Sequence, residues 1–301
     1  MSMLTTSITD QPIVRREDDK LRSKRYAETL SLFIQQSDTP LTVGLQGEWG
    51  TGKTSMMHML REILEEENVA TSWVNTWEYS MFRGAKETTP AVLRGMLEKL
   101  KESCVEKGTW SNTDEANQKV RQIGRFIGNL ANQVVKKRVG IDVLAAAGDQ
   151  VDAELATEIS FIKNQINDVI RDLIKDSDYS RVVFFVDDLD RISPVDAVEV
   201  LEALKNMFDV PNCIYVLAID YEVVVKGLEG KFGKKTEENE REFRSFFDKI
   251  IQVPFSMPTG TYDISQLLED KLGKMGITIP ESQTEAYTNV VKNTVGFNPR
   301  S

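Results

Sequence analysis

The sequence contains few of the residues on which many catalytic and metal sites depend. Among its 301 residues there is one histidine, His58, and there are two cysteines, Cys104 and Cys213. A lone histidine argues against histidine-based triads and multi-histidine metal sites. The two cysteines form no metal-binding cluster, so we expect both to be packing residues of a protein in the reducing cytoplasm.

Long apolar runs and an excess of positive charge are also missing. No stretch approaches the ~18 apolar residues that a membrane-spanning helix requires, and the polar segment Met1–Lys20 lacks the apolar core of a signal peptide. The formal net charge of −10 argues against broad binding to nucleic acid, which needs a basic surface. With 41% hydrophobic residues, the composition is typical of a soluble globular protein.

Short apolar runs alternate with amphipathic helical patterns along the chain. The predicted strands are Leu41–Gln46, Val69–Val74, Val182–Val186, Cys213–Ile219 and Ile250–Pro254. The predicted helices include Leu21–Gln36, Lys53–Glu67, Pro194–Phe208, Ile264–Leu272 and Glu285–Thr294. Buried strands separated by helices predict an α/β fold, in which a parallel sheet carries helices on both faces.

The spacing of these elements suggests a domain organisation. We predict a core domain over residues 1–258, with a polar leader at residues 1–20. Residues 80–178 show helical patterns and no convincing strand, which predicts a mainly helical insertion between the second and third strands. Its middle, Phe126–Gly148, is interrupted by charges that are too costly in a membrane. Residues 259–301 are interpreted as the start of a helical lid that stops abruptly, as in a chain cut from a longer protein.

The segment Gly47–Thr54 has the Walker A pattern Gly-x-x-x-x-Gly-Lys-Thr and lies between a predicted strand and a predicted helix. Glycines let the backbone turn its N–H groups toward phosphates, at which the following helix also points its N-terminus. Lys53 can reach the β- and γ-phosphates, and the Thr54 hydroxyl can ligate Mg²⁺. The predicted ATP-binding residues are Gly47, Glu48, Trp49, Gly50, Thr51, Gly52, Lys53, Thr54 and Ser55.

The third predicted strand runs directly into Asp187 and Asp188. Asp187 is expected to lie beside the glycine-rich loop and to hold Mg²⁺ through water. Asp188 is the candidate that orients the attacking water and accepts its proton. The alternative is that both acids merely end the strand.

Three more residues are candidates for contact with the γ-phosphate. Asp220 ends the fourth strand, where it either faces the phosphate or serves as a structural turn residue. Arg191 and Arg300 are candidates for stabilising the charge of the transition state. For Arg191 the alternative is that it locks its loop by pairing with a nearby acid.

Taken in order, these motifs resemble the KAP family of P-loop NTPases. The similar segments are Gly47–Thr54, Val74–Trp77, Asp187–Arg191, Val216–Asp220, Ile250–Phe255 and Asn298–Arg300. The resemblance implies an ATPase related to the AAA+ and STAND groups, with strand order 5-1-4-3-2. It also implies that Asp187 is a Mg²⁺ ligand, that Asp188 activates water, and that Arg300 belongs to a helical lid.

We therefore expect Mg²⁺-dependent ATP binding and hydrolysis, coupled to conformational change in an assembly with further copies of the chain or a partner protein. Many family members carry transmembrane helices in the insertion, which here is too charged to span. Bacterial members occur in phage-exclusion and defence systems. One alternative is a STAND-like switch that oligomerises on binding ATP with little turnover. Another is a small-molecule kinase, for which the sequence shows no acceptor pocket.

Overall fold

The computed structural model describes residues 11–81, 88–106, 164–175, 177–205 and 209–299, with the single positions 165, 295 and 297 excepted. The chain divides into two compact units. The first unit comprises Met1–Gln36, Gln46–Ile63 and Ser256–Ser301, and the second comprises Ser37–Leu45 and Leu64–Phe255. The predicted domain division after residue 258 stays a prediction.

The strands form one five-stranded parallel sheet. They are β1 (Leu41–Gln46), β2 (Ala70–Asn75), β3 (Val182–Asp187), β4 (Cys213–Ile219) and β5 (Val253–Ser256). Their order is β2-β3-β4-β1-β5. Read from the other edge, this is the order 5-1-4-3-2 that the family resemblance implied, so the predicted α/β fold is confirmed.

Strands β3 and β4 are buried along their whole length, as their continuous apolar runs predict. Their register places Phe184 opposite Tyr215, and the two rings stack with centroids 5.3 Å apart. The next residue, Phe185, stacks at 5.5 Å on Trp73 of β2. Because successive strand residues point to opposite faces, these two pairs fill the core on both sides of the sheet. Cys213 is a buried packing residue as predicted, and burial raises the pKa of its thiol to about 12.

Strand β5 begins three residues later than predicted, at Val253 instead of Ile250. The amides of Ile250 and Ile251 donate to the carbonyl of Phe247 at 3.0 and 2.8 Å. These two residues therefore complete the turn after a helix and do not extend the sheet. Both are buried, which explains why their apolar pattern resembled a strand.

Helices precede, connect and follow the strands along the chain. Before and between the first strands lie α1 (Lys24–Gln36), α2 (Lys53–Glu66), α3 (Thr76–Met81) and α4 (Thr88–Glu106). A further helix, α5, covers residues 166–175. The remaining helices are α6 (Pro194–Lys205), α7 (Tyr221–Phe232), α8 (Glu240–Asp248), α9 (Ile264–Lys274) and α10 (Glu281–Thr294). Helix α6 starts as predicted, because the Ser193 hydroxyl accepts the Asp196 amide at 3.1 Å.

The described ends of the predicted insertion, α4 and α5, are helical as expected. Their apolar residues belong to the same buried core as those of β2 and β3, and the Ser72 hydroxyl of β2 donates to the Met96 carbonyl of α4 at 2.8 Å. Both ends are thus part of the sheet's own packing. The prediction for Phe126–Gly148 lies outside the described residues. No helix in the described ranges has the length and apolar character needed to cross a bilayer.

Helices α6 and α7 approach each other closely at Gly227. A Cβ built on Gly227 would overlap the backbone carbonyl of Pro194 and lie 2.8 Å from a methyl carbon of Val198. Gly230, one turn further along α7, has nothing within 4 Å of the corresponding position. The neighbouring helix therefore leaves room for a methyl group at Gly230 but not at Gly227.

We predict that Gly227→Ala lowers the free energy of unfolding by roughly 1–3 kcal/mol, because the overlap must be relieved by moving backbone. The matched control, Gly230→Ala, is expected to raise it by up to about 1 kcal/mol through helix propensity. Urea denaturation followed by circular dichroism measures both. Equal effects of the two substitutions would contradict the close contact between the helices.

Candidate functional site

The first unit contains the glycine-rich loop that follows β1. Gly50 and Gly52 have φ angles of +89° and +92°, in a region where a side chain is strained. A Cβ on Gly47 would lie 2.6 Å from the Thr51 hydroxyl oxygen and 3.0 Å from Cγ of Met257. The loop conformation therefore requires glycine at all three positions, and α2 starts directly after it at Lys53, as predicted.

The Lys53 side chain lies against the backbone of this loop. It is only 7% exposed, although ammonium groups are rarely buried unless they are paired. Its Nζ donates to the carbonyl oxygens of Gly47 and Glu48 at 2.8 and 3.1 Å. The Thr51 hydroxyl donates to the same Glu48 carbonyl at 2.8 Å. These hydrogen bonds link the loop backbone to the buried ammonium group and to the Thr51 hydroxyl.

The first turn of α2 continues the site. The Met56 amide donates to the Gly52 carbonyl at 2.9 Å, so regular helical bonding begins at the last glycine. Thr54 and Ser55 are half-buried in this turn, and the Ser55 hydroxyl oxygen accepts the Ile13 amide at 3.2 Å. A helix N-terminus attracts anions. The loop, the lysine and the helix therefore all suit one kind of ligand, a phosphate group.

Two side chains from the C-terminal part of the first unit reach the glycine-rich loop. The Tyr262 hydroxyl donates to the Thr51 carbonyl at 2.9 Å, and the Asn298 amide donates to the Trp49 carbonyl at 2.9 Å. Tyr262 is buried, whereas the Trp49 side chain is 56% exposed. The segments that carry these two residues therefore lie against the loop.

The second unit contains the acidic end of β3. Asp187 and Asp188 are 3% and 8% exposed, and the Asp187 carboxylate accepts the Asp188 amide at 2.8 Å. The Asp187 carbonyl accepts the Thr76 hydroxyl at 2.9 Å. Asp188 has a φ angle of +58°, an uncommon conformation that recurs at functional sites. Both acids are thus held where the strand ends, as buried carboxylates with defined partners.

Both carboxylate oxygens of Asp188 have a partner. The Asn75 amide, at the end of β2, donates to Oδ2 at 2.7 Å, and Nε of Arg191 forms an ion pair with Oδ1 over 2.7 Å. The Arg191 guanidinium also lies over the Trp77 ring, 5.5 Å from its centroid. Arg191 therefore pairs with a nearby acid, which was one of its two predicted roles. Its contact with a transition state stays a prediction.

Asp220 and Arg300 complete the predicted residues. The Asp220 carboxylate accepts the Glu222 amide at 3.0 Å and caps α7. That contact is the structural role that the sequence left open, and its predicted contact with the γ-phosphate stays a prediction. Arg300 lies outside the described residues, so its predicted role in a helical lid also stays a prediction.

The sequence motifs assign no chemical role to Asn75 or Tyr262. For Asn75 a signal existed, because it is the polar residue that ends β2, and parallel strands present their carboxyl ends at the same edge. It lies opposite Asp187 in the register of β2 and β3. For Tyr262 no local pattern pointed to the loop. Its contact depends on how the chain packs after β5.

The side chains present suit a magnesium ion in their chemistry. Mg²⁺ prefers oxygen ligands and in nucleotide sites uses one or two carboxylates together with phosphates. The Thr54 hydroxyl and the buried Asp187 carboxylate are oxygen donors of this kind. Thr54 belongs to the first unit and Asp187 to the second, and the prediction that they hold Mg²⁺ stays a prediction.

A parallel sheet, with a phosphate-binding turn after β1 and buried acids after β3, defines the class of P-loop NTPases. The chain belongs to the KAP family, because the family model described as "KAP family P-loop domain" matches residues 23–300. It is also similar to the "Phage T7 exclusion protein" of Escherichia coli (strain K12), with 21% identity over 274 residues. The match covers 85% of this chain and 34% of that relative, so the chain spans about a third of the relative's length.

We predict that Asn75→Ser lowers the free energy of unfolding by about 1.5 kcal/mol or more, because serine is too short to reach the charged Asp188. Serine can still cap α3, where Asn75 now accepts the Trp77 amide at 3.0 Å. Asn75→Ala loses this cap as well and should cost about 1 kcal/mol more. Chemical denaturation of both variants separates the two contributions. Wild-type stability of Asn75→Ser would show that the bond to Asp188 contributes nothing.

Proposed function

We propose that this protein hydrolyses ATP with Mg²⁺ and couples the reaction to a conformational change in a larger assembly. Nucleotide binding follows from its membership of a P-loop family. The observation that carries the step from binding to hydrolysis is the pair of buried acids after β3, with Asp188 held at both of its carboxylate oxygens. A purely phosphate-binding loop would not need a second, positioned carboxylate.

The loop residues supply binding and charge. Backbone N–H groups of residues 47–54, with the α2 N-terminus, would hold the phosphates. Lys53 would exchange its bonds to the Gly47 and Glu48 carbonyls for bonds to the β- and γ-phosphates. The Thr54 hydroxyl and the Asp187 carboxylate would hold Mg²⁺, which neutralises charge on the phosphates when it is bound.

Asp188 is proposed as the residue that orients the attacking water and accepts its proton. Its carboxylate is fixed by Asn75 and Arg191, and this fixed position is what a water-orienting group requires. Arg191 also occupies one of the two oxygens of this carboxylate. Full activity therefore requires that the Arg191–Asp188 bond, now 2.7 Å long, lengthens or is exchanged for another contact.

The same ion pair favours a second candidate function. An ATPase whose water-orienting carboxylate is already paired with an arginine would turn over slowly, and slow turnover is what a nucleotide switch requires. In that case ATP binding would drive assembly with further copies of the chain or with a partner protein, as in STAND-like proteins. Light scattering with ATP, with ADP and without nucleotide distinguishes the two, because assembly at negligible turnover is expected only of the switch.

We predict that Lys53→Ala removes ATP binding, whereas Asp188→Asn binds ATP normally but hydrolyses it at least ~100-fold more slowly. Asparagine is the conservative choice at residue 188 because it tolerates the positive φ angle. Asp190→Asn, a neutralised acid in the same turn, is the matched control and should keep wild-type turnover. Calorimetric titration and a phosphate-release assay measure the two effects. Unchanged turnover in Asp188→Asn would refute hydrolysis through this residue.

We further propose that the ATPase acts in defence against bacteriophage. The support is the similarity to a relative whose name describes exclusion of phage T7. Expression in Escherichia coli is expected to lower the number of T7 plaques relative to a strain without the protein. Lys53→Ala, made at an equal protein level, should restore the plaque number. Equal protection by Lys53→Ala would separate defence from nucleotide binding, and absence of protection would contradict the proposal.

A further inference from the structure

Within the described part of the chain, two side chains from the segment after β5 donate hydrogen bonds to carbonyl oxygens of the glycine-rich loop. Tyr262 donates to the carbonyl of Thr51 and Asn298 to the carbonyl of Trp49, each over 2.9 Å. The two acceptors belong to alternate peptides of the loop, Trp49–Gly50 and Thr51–Gly52. The second residue of each peptide, Gly50 or Gly52, has a positive φ angle.

The geometry of the peptide group gives these two bonds a directional consequence. A trans peptide is planar, with its C=O and N–H pointing in opposite directions. A donor that fixes the Thr51 carbonyl therefore directs the Gly52 N–H away from Tyr262. In the same way, the bond from Asn298 directs the Gly50 N–H away from Asn298. Backbone N–H groups that are fixed in a tight turn can form a concave anion site.

We propose that Tyr262 and Asn298 are positioning residues, which hold the carbonyl side of the loop so that the Gly50 and Gly52 N–H groups face the nucleotide phosphates. The inference rests on the proposed binding of ATP at this loop. It assigns to the segment after β5 a part in phosphate recognition without direct contact to the ligand.

Tyr262 is held in place by backbone hydrogen bonds and by burial of its ring. Its amide donates to the Thr259 carbonyl at 3.2 Å, and the amide of the next residue, Asp263, donates to the Leu21 carbonyl at 3.0 Å. The ring is buried at 4% exposure, and a Cβ on Gly52 would lie 3.8 Å from the hydroxyl oxygen. Burial, followed by the charge of Asp19, raises the pKa of the Tyr262 hydroxyl. The hydroxyl therefore remains protonated and able to donate at neutral pH.

The test compares Tyr262→Phe and Asn298→Ala with the wild-type chain by calorimetric titration with Mg²⁺-ATP and with tripolyphosphate. Each variant is expected to bind both probes roughly 3- to 10-fold more weakly, the effect of one lost hydrogen bond on the geometry of the site. Because tripolyphosphate has no base or ribose, an equal loss with both probes locates the effect at the phosphates. Loss with ATP alone would overturn the proposal.

Two controls remove similar groups without touching the loop. Tyr26→Phe deletes a hydroxyl from the same neighbourhood, where it bonds to the Thr261 hydroxyl at 2.7 Å. Asn293→Ala deletes an amide from an exposed position on α10. Both controls are expected to bind the two probes as the wild type does. A matching loss in the controls would show that the effect is general and would overturn the proposal.

The outcomes separate this inference from the proposed function. If the wild-type chain binds neither probe, ATP binding at the loop fails and the positioning role fails with it. If the wild type binds and Lys53→Ala does not, while both positioning variants stay within twofold of the wild type, the inference alone is overturned. Thermal melting checks folding. Should Tyr262→Phe not fold, the partly exposed Asn298 still decides the question.

Discussion

The arrangement of the acids after β3 depends on the parallel register between β2 and β3. Parallel strands end at the same edge of a sheet, so Asn75 lies opposite Asp187 and within 2.7 Å of the Asp188 carboxylate. A buried carboxylate is costly unless it is paired and hydrogen-bonded. Asn75 and Arg191 meet this requirement, and their bonds set the direction in which Asp188 points. A one-residue slip of the register would turn Asn75 to the other face of the sheet.

The glycine-rich loop meets a similar requirement with the opposite charge. The buried ammonium group of Lys53 is stabilised by the carbonyls of Gly47 and Glu48. Both carbonyls belong to the same loop that Lys53 is proposed to assist in binding phosphate. The loop and the acids are therefore each organised by their own contacts. In both cases a buried charge is stabilised by partners that the fold holds in place, as the burial of a charge requires.

The fold could be predicted where burial leaves a clear trace in the sequence. Strand β4 was predicted at its observed bounds and β3 to within one residue, since residues buried on both faces form a continuous apolar run. The same signal failed at β5, because Ile250 and Ile251 are also buried but end a helical turn. Periodicity reports burial and does not report hydrogen bonding. It likewise gave no sign that α4 packs its apolar residues into the core of the sheet.

The sequence by itself determined the family, the glycine-rich loop, Lys53 and the acids after β3, because each of these is a contiguous pattern whose chemistry is local. Only the tertiary structure decided what holds them. Asn75 lies 113 residues from Asp188, Tyr262 lies 211 residues from Thr51, and Asn298 lies 249 residues from Trp49. Hydrogen bonds over such separations arise from strand register and chain packing, which bring together side chains that no local pattern connects.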